Sequence, residues 1–194
     1  MKLLLDEGVH IDMRDKCQAT PLHLASNHGH LNISRILLEH GADILSKDDH
    51  GWTPLHKASY QNHLDICHLL VKNGADLTIK NDHGWTPLHV ACMKGLLQIT
   101  RLFLENGACI DIGNKDGWTS LHEACFYGHH DISKLLLDNG ADKNFADHEG
   151  RTPVFLASQE GHLSLVQLLS GTKQQTVVIH AGQTPVACQD PRIL

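Results

Sequence analysis

Six residues, Thr20-Pro21-Leu22-His23-Leu24-Ala25, return as Thr53-Pro54-Leu55-His56-Lys57-Ala58, Thr86-Pro87-Leu88-His89-Val90-Ala91, Thr119-Ser120-Leu121-His122-Glu123-Ala124 and Thr152-Pro153-Val154-Phe155-Leu156-Ala157. Each return comes 33 residues after the last, and a fainter echo, Thr184-Pro185-Val186-Ala187, follows after 32. A fixed period of this length means that one structural unit is copied, which constrains the fold more tightly than any local propensity.

The unit is read most easily over residues 48–80. Asp48-Asp49-His50-Gly51 is a turn sequence. Thr53 offers a hydroxyl as N-cap, and Pro54 at the first helical position forfeits no hydrogen bond, because that N–H has no intrahelical partner. The first helix is predicted to end near Tyr60 or Gln61. After a break at Asn62, Leu64, Ile66, Cys67, Leu69 and Leu70 give the apolar stripe of a second helix. Gly74 stands where a left-handed C-terminal cap is needed, as do Gly41, Gly107 and Gly140. Two short antiparallel helices and a turn cannot bury their own apolar faces, and stacking the copies does so.

The period and the Thr-Pro-Leu-His-x-Ala signature resemble those of the ankyrin-repeat family. The resemblance implies an all-α solenoid of stacked helix-turn-helix units with β-turn or hairpin tips. Full repeats are expected at 15–47, 48–80, 81–113, 114–146 and 147–179, the last with a second helix two residues short, since Gly171 comes early. Residues 1–14 read as a partial repeat, second helix and turn only, and 180–194 as a degenerate repeat start or frayed tail. The missing polar caps predict a piece of a longer array or a shortened product.

Composition narrows the function. Lys and Arg number 16 against 22 Asp and Glu, a net charge of −6, so no overall field draws the chain to phosphate backbones or anionic lipid. Only Leu3, Leu4 and Leu5 precede Asp6, short of a signal peptide's apolar region, and no apolar run approaches the roughly 18 residues of a membrane span. Six cysteines without a Cys-x-x-Cys pair predict neither a zinc module nor a disulfide scaffold but reduced thiols, in the cytoplasm or nucleus. Seventeen histidines invite a metal. Yet His23, His56, His89 and His122 sit in the signature, and His30, His63, His129 and His162 open second helices. The resemblance implies that the signature histidines link neighbouring turns. Neither a phosphate loop nor a nucleophile elbow is present. Cys92 and Cys125 read as small core residues. The expectation is therefore a non-catalytic chain with no cofactor, metal or small-molecule substrate.

What varies between copies is more informative. In the family this resembles, turn tips and the exposed face of the first helices line a concave groove that binds partner proteins. Carried onto this chain, that face holds Trp52, Trp85, Trp118 and Arg151 after the turn glycines, and Tyr60, Met93, Lys94, Phe126 and Tyr127 on the first helices. Aromatics rimmed by charge have the composition of a protein-binding hot spot. Lys57 and Glu123 replace apolar residues at the same place and are expected to set specificity. The expected function is recognition of another protein; a structural or regulatory segment of a larger protein is the alternative. Trp118-Thr119-Ser120-Leu121-His122-Glu123-Ala124-Cys125 also resembles the stretch by which some ankyrin modules read a histone-tail lysine, with Phe126 where those carry Asn.

Overall fold

The computed structural model describes residues 10–171. Within them lie ten helices: α1 (Pro21–Asn27), α2 (Leu31–Glu39), α3 (Pro54–Tyr60), α4 (Leu64–Lys72), α5 (Pro87–Met93), α6 (Leu97–Glu105), α7 (Ser120–Phe126), α8 (His130–Asp138), α9 (Pro153–Gln159) and α10 (Leu163–Gly171). No strand occurs among the described residues. Odd-numbered helices pack in one row, even-numbered helices in a second, and each pair closes one unit. Between the rows runs a continuous core that includes Leu22, Leu55, Ile66, Leu70, Leu88, Ile99, Phe103, Leu121 and Leu136. The partial repeat expected at 1–14 lies mostly outside the described residues, and the tail at 180–194 wholly so.

Four of the five first helices start in the same way. Thr20, Thr53, Thr86 and Thr119 take extended backbone angles as N-caps. The histidine three residues on completes a capping box in which Nδ1 accepts the threonine N–H at 3.1–3.2 Å. An accepting Nδ1 carries no proton, so the proton is on Nε2. Nε2 of His23, His56, His89 and His122 then donates to the carbonyls of Trp52, Trp85, Trp118 and Arg151, at 2.9, 2.9, 3.0 and 3.1 Å. One side chain thus caps its own helix and ties the next repeat. The turn tips add one backbone bond per step, among them Asp82 N–H to His50 O at 3.1 Å and Lys115 N–H to His83 O at 3.2 Å.

Gly41, Gly74, Gly107 and Gly140 hold the left-handed conformation expected of C-terminal caps. Gly171 does not: α10 has nine described residues, as many as α8, and this glycine is helical. The second helix of the last repeat is therefore not shortened. Cys67, Cys92 and Cys125 are buried free thiols and Cys17 is an exposed one.

Candidate functional site

The residue opening each turn organises the concave face. Asp15, Asp48, Asn81, Asn114 and Asp147 each use Oδ1 to accept the backbone N–H groups two and four residues on, at 2.8–3.0 Å. This leaves a second side-chain atom to meet the residue nine positions later on the first helix. Asp48 Oδ2 pairs with Lys57 Nζ at 2.7 Å. Asn114 Nδ2 instead donates to Glu123 Oε1 at 3.5 Å, a long contact. Opposite the apolar Val90, Nδ2 of Asn81 has no partner. Lys57 is thus paired with Asp48 inside the chain, and Glu123 meets only the Asn114 amide.

Glu123 is only 3% exposed. Burial, helped by the nearby charge of Asp116, pushes its carboxyl up to about 8, so it is mostly protonated at neutral pH. Burial also pushes the Cys92 and Cys125 thiols up to about 12, which keeps them inert.

The aromatic residues fall into two clusters rather than one strip. In the first, Trp52 meets the edge of Tyr60 at 5.4 Å between centroids, with Lys57 Nζ 5.1 Å from the indole and Lys94 Nζ 4.3 Å from the Tyr60 ring. In the second, Trp118 lies 5.2 Å from Phe126, which meets Tyr127 at 5.1 Å. Asp147, not singled out from the sequence, anchors this cluster: its Oδ2 accepts from Trp118 Nε1 at 2.9 Å and from Arg151 Nε at 2.8 Å. Arg151 stands 5.6 Å from the Trp118 ring and also reaches Glu149 at 3.0 Å. Between the clusters sits repeat 81–113, where half-buried Trp85 lies 5.6 Å from His83 and Met93 is half-buried. Tyr60 and Tyr127 are 39% and 48% exposed. Leu24, 45% exposed in the same helical position as Lys57, is a further apolar groove residue that its conservative identity concealed. It lines a shallow recess of about 270 Å³ with Asn27, His50 and Lys57.

Among the described residues no group of three His, Cys, Asp or Glu side chains is arranged to hold a metal ion, and no helix is long and apolar enough to cross a membrane. The arrangement offers an extended face of half-exposed rings and charged rims. A family model described as ankyrin repeats (3 copies) matches residues 1–81, 77–147 and 111–181. No curated protein matches the chain.

Proposed function

Because the chain belongs to the ankyrin-repeat family, whose repeats are generally protein-interaction modules, we propose that it binds a partner protein through its concave face, without catalysis. The observation that carries this reading is that Tyr60, Lys94 and Tyr127 stay exposed on that face while the rings beside them are held by internal contacts. Trp118 is fixed by Asp147, and Trp52 is covered by Tyr60 and Lys57. A surface ordered before binding loses little side-chain entropy on association. In this reading Trp52, Tyr60, Trp85, Met93, Lys94, Trp118, Phe126, Tyr127 and Arg151 contact the partner, and Glu123 shapes the floor between Asn114 and Asp116. The Asn114 amide already faces Glu123, so the histone-tail alternative gains no support from the geometry. The cytoplasm and nucleus are the compartments in which we expect the partner.

The test compares affinity capture by the native chain and by Trp85→Ala/Phe126→Ala, with helical content checked by circular dichroism. Proteins lost with the variant while its fold is kept identify groove partners. Identical recoveries would refute the groove assignment.

A further inference from the structure

A second set of histidines clips three of the repeats to the one before, at the opposite end of the first helices. Nε2 of His63, His129 and His162 bonds the carbonyls of Asn27, Met93 and Phe126 at 3.2, 3.1 and 3.0 Å. Each imidazole lies over a glycine of the preceding repeat. A Cβ built at Gly29, Gly95 or Gly128 would stand 2.7, 2.7 or 2.6 Å from the ring carbon Cε1. The glycine is doubly required, since its φ is +74° to +77° at all three places. Histidine and glycine therefore form a matched pair: the clip exists only where the earlier residue has no side chain.

At the junction between repeats 48–80 and 81–113 both members of the pair change together. Asn62, with φ +62°, takes the glycine's place, and Leu96 takes the histidine's. With no imidazole to admit, a Cβ at position 62 is tolerated; asparagine is among the residues best able to hold a positive φ. Leu96 packs against the core but offers the Tyr60 carbonyl no donor. The tip end of this junction keeps its ties, His56 Nε2 to Trp85 O at 2.9 Å and Asp82 N–H to His50 O at 3.1 Å. Across its other end stands the exposed pair of Lys94 and Tyr60, with Nζ 4.3 Å from the ring centroid, a contact weakened by water.

We propose that this junction is the joint of the array: it stays hinged at the turn tips and opens at the end where α3 runs into α4 and where α6 begins. The inference stands on the clip geometry alone and survives whether or not the groove binds a protein. Its place beneath Tyr60 and Lys94 means that any groove ligand spanning those two residues also sets the opening.

Hydrogen exchange of the intact chain, read by mass spectrometry, tests it. Amides at the end of α3 and the start of α6 are expected to exchange about five- to tenfold faster than their counterparts at the three clipped junctions, the factor that one net hydrogen bond supplies. In Asn62→Gly/Leu96→His the difference should vanish. The reciprocal Gly29→Asn/His63→Leu should transfer fast exchange to the first junction, and this reads the idea even if the first variant folds poorly. Uniform exchange at all four native junctions, or reciprocal variants that leave the pattern unchanged, would overturn the proposal.

Discussion

Glu123→Gln should make the protein more stable, by an amount that grows with pH. Burial and Asp116 raise the carboxyl from 4.5 to about 8. The folded state then holds a proton that the unfolded state has released throughout this window. Stability is therefore complete below pH 4.5, falls as pH rises, and stops falling above about 8. With one unit worth about 1.4 kcal/mol, the native chain has lost about 3 kcal/mol by pH 7 and about 5 kcal/mol by pH 9. Glutamine has no proton to lose, keeps the shape, and still offers Oε1 to the Asn114 amide, so the variant escapes this loss. The buried histidines titrate in both proteins and cancel in the difference. The assay is denaturation followed by helical circular dichroism at pH 5 to 9. At pH 7 the variant's midpoint should lie about 6–12 °C higher, at about 2–4 °C per kcal/mol for a chain of this size. Parallel curves for the two proteins from pH 5 to 8 would show that Glu123 is solvated as an ordinary carboxylate, and would refute the reasoning.

Four further predictions follow from the same geometry. His89→Ala, which removes both the cap on Thr86 and the bond to Trp118 O from a buried site, should cost about 2–4 kcal/mol in urea unfolding. Burial depresses His56 and His89 from 6.5 to about 4. Their contribution is thus in place above pH 6.5 and lost as pH falls through 4, and an acid titration followed by circular dichroism should show helix loss concentrated below pH 6.5. Lys57→Met strands the Asp48 carboxylate, whose side chain is 3% exposed. It should cost about 1–3 kcal/mol, recovered in large part by adding Asp48→Asn, as a double-mutant cycle would show. Gly84→Ala places a Cβ 2.6 Å from the Lys115 backbone nitrogen at a φ of +80°, and thermal unfolding should reveal a loss of about 2 kcal/mol or more.

The helices were legible in the sequence because their signals recur: Thr precedes every first helix, with Pro after it in four of five, and a left-handed glycine follows the first four second helices. That recurrence misled only where a copy degenerates, as at Gly171, which a packed helix absorbs although a cap was expected there. Contacts between copies were harder to read. They join residues 29 or 36 positions apart, and no single unit contains both partners. Asn62 looked like an ordinary break, and its meaning emerges only beside Leu96, one repeat later. Lys57 and Glu123 meet Asp48 and Asn114 nine residues earlier, a spacing that no helical or strand period announces. This sorts the groove residues physically. Trp118, Arg151 and Glu123 are engaged within the chain, so altering them changes the scaffold together with any binding. Tyr60, Lys94 and Tyr127 project from it, and apart from ring contacts with Trp52, Phe126 and each other's neighbours they carry little of the fold. Substitutions there should separate recognition from stability, and selectivity for a partner is expected to reside in them rather than in the tryptophans that first draw the eye.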